Sequence, residues 1–194
     1  MLKRQRRVYH GRVAAWLAGL SSARANDFLG LAAEHFERAG EHRRAAEFYA
    51  RAAEHAAARH ANDAVVDFTT RALALLADER DADALRWRLC AVRERAFDLQ
   101  GRRVEHQAAV DALTRLADAL DDDRLRADAA KRRSYLAMRR GDKPAQIDAA
   151  RAAMAFAERA GAVELQLRAL NPMKDTGDAM NKAGDAVKDA TKKP

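Results

Sequence analysis

The chain has 194 residues, a formal charge of +7 and one cysteine, Cys90, so an internal disulfide is excluded. No stretch approaches the roughly 18 consecutive apolar residues that a bilayer-crossing helix needs. Hydrophobic residues make up 48%, much of it Ala, aromatics are 6%, and Gly and Pro number only 9 and 3. These are good helix formers with few breakers, and no alternating Val, Ile or Thr run reads as a strand, which predicts an all-α protein.

The chain opens on Lys3, Arg4, Arg6, Arg7 and Arg12, with no acid among residues 1–12. A basic helix over 1–20 follows, with Lys3, Arg4, Arg6 and Arg7 as a candidate anion patch. The apolar stretch behind it is broken by His10, Gly11 and Arg12, so it lacks a secretory core. With one thiol, a reducing cytoplasmic setting is expected.

The next helix lies between Ser21 and Gly40, with Leu29, Ala32, Ala33, Phe36 and Ala39 on one face and Gly40 as its terminating glycine. A second carries Ala45, Phe48, Tyr49, Ala52 and Ala56. Asn62 and Asp63 predict the cap of a third, with Val65, Phe68, Ala72, Leu75 and Leu76 inward. Past the acidic turn, a fourth shows Leu85, Leu89, Val92, Ala96 and Leu99 and closes at Gly101. A fifth carries Val110, Leu113, Leu116, Ala117 and Leu120. Asp121, Asp122 and Asp123 suit the start of a sixth, where acids face a favourable dipole, and it ends at Gly141. Pro144 fits the first turn of a seventh with Ile147, Ala150, Met154 and Ala157 inward, and a short eighth spans Val163 to Leu170.

Short turns make consecutive helices antiparallel neighbours. Gly101 and Gly141 lie 40 residues apart, a period of helical hairpins, each covering the apolar face of the last. The predicted architecture is a right-handed α-solenoid of about eight helices. The array occupies 21–170, behind the 1–20 helix and ahead of a distinct segment at 171–194.

The stretch "LAAEHFERAGEHRRAAEFYARAAEHA" resembles a tetratricopeptide repeat. Ala33, Phe36, Gly40, Ala45, Tyr49 and Ala52 match that family's small, aromatic, turn-glycine, small, aromatic and small positions. Around Gly101 and Gly141 the register slips by a residue, and Arg93 and Arg133 stand where a small residue is usual. Residues 4–165 are also similar to the repeat region of large bacterial signalling proteins. In those proteins a STAND-type ATPase module precedes such repeats, often beside a nucleotide cyclase or a DNA-binding domain. The 1–20 segment, with "RRVYHGRVAAW", resembles the last helix of the preceding module. No G-x-x-x-x-G-K-[ST] phosphate loop is present. The resemblance therefore implies a non-catalytic regulatory or partner-binding role.

Residues carrying chemistry are sparse. Of three serines, Ser21 and Ser22 sit at a helix boundary, and Cys90 borders an apolar face, so no catalytic residue and no cofactor is expected. His35 and His42 are separated by Gly40, and His55 and His60 are five apart, so no metal-ligand spacing arises. Glu34 and His35 could meet Glu54 and His55 only across a hairpin. The first repeat's register places Asp27, Glu34, Glu37 and Arg38 on a candidate groove for a protein or peptide partner. The alternative is association with nucleic acid through Arg43–Arg44, Arg102–Arg103, Arg132–Arg133 and Arg139–Arg140, with no interleaved aromatics to stack bases.

The segment "NPMKDTGDAMNKAGDAVKDATKKP" differs in composition. The first 170 residues hold 28 Arg and 3 Lys, and the last 24 hold 5 Lys and no Arg. The heptad duplication "GDAMNKA", "GDAVKDA" and the Asn171–Pro172 start predict an amphipathic helix from about Pro172 to Ala190; capping the last hairpin is its preferred role, ahead of a disordered tail and of membrane-surface binding.

Overall fold

The computed structural model describes residues 2–20 and 25–161. Among them the protein is all-α, with eight α-helices, one short 3-10 turn and no strand. The helices are α1 (Leu2–Ala18), α2 (Leu29–Ala39), α3 (His42–Ala58), α4 (Asn62–Leu75), α5 (Asp83–Leu99), α6 (Arg103–Ala119), α7 (Asp123–Arg140) and α8 (Lys143–Arg159). The predicted Val163–Leu170 helix, the Pro172–Ala190 helix and the helix boundary at Ser21 and Ser22 lie outside the described residues. The chain divides into two compact units, Met1–Ala109 and Val110–Pro194, with the boundary inside α6.

In the first unit, α1 packs on α2, α2 on α3, α3 on α4, and α5 on both α3 and α4. The core gathers Ala14 from α1, Ala33 and Phe36 from α2, Ala45, Ala46 and Tyr49 from α3, and Ala72 from α4, with Leu76 just past it. Alanine at so many contact positions lets helix backbones approach closely, while Phe36 and Tyr49, both fully buried, fill the space between them. Gly30 takes this further. A Cβ there would stand 2.9 Å from the Phe68 ring, so its absence is what lets α2 meet α4 at this point.

The helix ends follow local chemistry. Gly40, Gly101 and Gly141 adopt φ of 82°, 69° and 74°, left-handed values that favour glycine. Asp122 caps α7, accepting from the backbone N–H of Arg124 at 2.8 Å and of Leu125 at 3.3 Å. Asp142 caps α8 by accepting from Ala145 N–H at 3.1 Å, with Pro144 in the first turn.

The helix expected between Ser21 and Gly40 spans Leu29–Ala39, after a 3-10 turn at Ala25–Phe28. Two expectations are corrected. Neither Asn62 nor Asp63 caps α4. Ala61 holds the cap position without a side-chain bond, and Asp63 instead accepts from Gln100 Nε2 at 2.7 Å. On α5, Leu99 is exposed, whereas Trp87, Cys90, Glu94 and Phe97 are buried.

In the second unit, α7 and α8 pack together through Ala130 and Ala153, with Met154 and Phe156 against them. Ser134 donates to the Gln146 carbonyl at 3.0 Å, satisfying a buried hydroxyl. Arg126 draws in Asp118, Asp121 and Asp123 at 3.0, 2.9 and 3.1 Å. Arg159, at the end of α8, reaches Asp123, at the start of α7, at 2.9 Å. The Arg159 hydrogen bond holds the Asp123 carboxyl below its ordinary range, aided by Arg126.

Candidate functional site

The candidate groove residues start on α2 and the turn before it, but their side chains part company. Glu37 turns to the neighbouring helices. Its Oε2 accepts from the Tyr49 hydroxyl at 2.7 Å and from Arg71 Nη2 at 2.9 Å. Arg71, on α4, also donates to Glu34 Oε1 at 3.0 Å, and its guanidinium lies 4.7 Å over the Tyr49 ring. One guanidinium therefore ties two carboxylates of α2 and an aromatic of α3. Burial pushes the Tyr49 hydroxyl well above its ordinary pKa, as does the Glu37 hydrogen bond, so Tyr49 stays a neutral donor. Burial opposes the charge on Arg71, but the hydrogen bonds to Glu34 and Glu37 prevail and raise its pKa.

Asp27 and Glu34 share an open cleft of about 540 Å³ between α2, α3 and α4. Its apolar lining comes from Leu31, Ala52, Ala56 and Phe68, and its polar lining adds Asn26, His55 and Arg59. Arg59 meets Asp27 at 3.5 Å across one edge. The cleft exists because Gly30, Ala52 and Ala56 present almost no side chain where a larger residue would fill the gap. Leu31 is 44% exposed here, an uncovered apolar group beside charged neighbours. Glu37 and Arg38 do not line this cleft. Glu37 is committed to Tyr49 and Arg71, and Arg38 lies along the exposed side of α2, 3.8 Å from Glu34. The groove read from the sequence therefore contracts to Asp27 and Glu34, and gains residues of α3 and α4.

The repeat-matching residues Ala33, Phe36, Ala45, Tyr49 and Ala52 are all buried. Lys3, Arg4, Arg6 and Arg7 are exposed along α1. The Arg pairs are largely engaged by nearby acids or rings. Arg44 meets Glu41 at 2.6 Å, Arg102 meets Glu105 at 2.8 Å and Arg132 meets Asp128 at 2.8 Å. Arg139 sits over the Tyr135 ring. Cys90 is buried.

No family model, curated protein or solved structure matches the chain.

Two polar contacts escaped the sequence reading. His10 on α1 and His35 on α2 meet with Nδ1 to Nδ1 at 3.0 Å. One ring must donate there and the other accept, so the contact requires at least one neutral imidazole. Burial lowers the His35 pKa, with His10 and Arg38 acting in the same direction and Glu34 opposing. His106 on α6 is buried against Glu94 on α5, Nε2 to Oε1 at 2.6 Å, with Asp98 Oδ1 3.7 Å from Nδ1. The twelve-residue spacing crosses a turn, and no helix-period search pairs such positions. Among the described residues no group of three or more His, Cys, Asp or Glu could hold a metal ion.

Proposed function

We propose that the chain is a non-catalytic protein-interaction module, a right-handed α-solenoid of helical hairpins of tetratricopeptide type. It takes a peptide or helix of a protein partner into the α2–α3–α4 cleft and relays that binding in a bacterial signalling or transcription-regulating context. The resemblance of residues 4–165 to the repeats behind STAND-type ATPases supports the context. The observation that carries the binding reading is the cleft itself. It is open and about 540 Å³, with Leu31 and Phe68 as apolar surface and Asp27, Glu34 and Arg59 as charged rim. That combination suits one apolar anchor side chain flanked by polar groups, the way short segments usually dock.

The test is a display screen of random peptides on the full chain, followed by affinity measurements on two variants. Leu31→Asp places a charge against the anchor and weakens selected peptides on the order of tenfold or more. Asp27→Lys changes the charge preference of the peptides recovered. Both positions are exposed, so circular dichroism stays unchanged. Peptides indifferent to both substitutions contradict the reading.

A further inference from the structure

Helix α1 presents a second surface, on a side its neighbours do not cover. Ala14 and Leu17 are its buried contacts with the first unit, and His10 meets α2 beside them. At about 100° per residue, Leu2, Tyr9, Val13 and Trp16 fall within about 60° of arc, and that stripe is centred about 100° round the helix from the packed face. All four are exposed, from 39% at Val13 to 70% at Leu2, with Tyr9 at 65% and Trp16 at 67%. Single exposed apolar residues are ordinary, but four in one stripe with both aromatic types of a membrane interface are not. Arg6 and Arg12 border the stripe, one on each side. Lys3, Arg4 and Arg7 complete five basic residues on a helix with no acid. On the other helices many arginines, such as Arg44, Arg88 and Arg159, sit against carboxylates, whereas among the described residues none of these five is ion-paired.

We propose that this face of α1 docks flat on an anionic lipid surface. The charge is complementary in sign, since Arg6 and Arg12 flank the stripe and favour acidic headgroups, while Lys3, Arg4 and Arg7 lie further round the helix and add to its positive field. The convex stripe, projecting from a helix already anchored by its other side, fits a plane better than a groove. Tyr9 and Trp16 have an apolar ring with a polar edge, the amphipathic form that settles at headgroup depth. No helix among the described residues is long and apolar enough to cross a membrane, so the contact is interfacial.

The test uses the full chain with vesicles of phosphatidylcholine alone or containing phosphatidylserine. The chain binds the anionic vesicles, binding weakens as salt rises, and brominated acyl chains quench its fluorescence. Trp16→Phe removes most of that quenching, because the other tryptophan, Trp87, is buried. Arg6→Gln with Arg12→Gln weakens binding on the order of tenfold or more. Arg95→Gln with Arg115→Gln, two exposed arginines on other helices, leaves it unchanged. Circular dichroism verifies that each variant is folded. Several results would overturn the proposal: no binding to anionic vesicles, or equal loss in the control pair, which would make the effect one of total charge. An oligonucleotide that binds more tightly than the vesicles and depends on Arg6 and Arg12 assigns the face to nucleic acid instead. Self-association lost on Trp16→Ser, without vesicle binding, assigns it to a second copy.

Discussion

Glu37 was read as a groove residue, yet it accepts from Tyr49 and Arg71 and stabilises the packing of α2, α3 and α4. Tyr49→Phe removes one neutral-donor hydrogen bond to a carboxylate while keeping the ring, and should cost about 1–2 kcal/mol in chemical denaturation. The His10–His35 contact gives a pH dependence whose sign follows from the lowered His35 pKa. The unfolded chain takes up a proton near the ordinary value of 6.5, whereas folded His35 resists it. The contribution is thus complete above that value and lost as pH falls through the folded pKa. Comparing melting temperatures from about pH 7.5 to about pH 5.5 should show a fall in the native chain that is shallower in His35→Gln. At this scale the buried aromatics were legible, because Phe36 and Tyr49 sit at helical spacing. The bonding partners were not, since a sequence period fixes a face and says nothing about which charge waits opposite.

At the scale of elements, boundaries marked by glycine and proline were legible within a residue or two, as at Gly40, Gly141 and Pro144. Inward faces were legible for helices with one dominant contact surface. On α5 the apolar stripe through Leu85, Leu89, Val92 and Ala96 named one face, but this helix meets both α3 and α4 and buries Trp87, Cys90 and Phe97 as well. A one-face period cannot describe a helix with two neighbours. The α5–α6 pair turns on Glu94 and His106. Glu94→Ala leaves a buried imidazole without its partner and should destabilise by about 3 kcal/mol, whereas Glu94→Leu with His106→Leu should lose less than the single change. Between α2 and α4, Gly30→Ala gains helix propensity but drives a Cβ into the Phe68 ring. We expect a net loss of about 1 kcal/mol, recovered in part by Phe68→Leu.

At the scale of the whole molecule, the all-α class was legible from composition alone, because few residues in the chain favour anything else. The candidate site was legible only in part. Asp27 and Glu34 were named from one repeat's register, but the cleft is assembled by three helices. Its shape depends on what is small, at Gly30, Ala52 and Ala56, as much as on what is present. The exposed stripe of α1 was missed for a related reason. Only the packing of α1 on α2 shows which side of that helix is covered and leaves Tyr9 and Trp16 exposed. The cleft is the central claim, and the affinity of a peptide selected on the full chain, measured against Leu31→Asp, tests it most directly. The account predicts a loss on the order of tenfold or more with the helical content unchanged; an affinity equal to that of the native chain would contradict it.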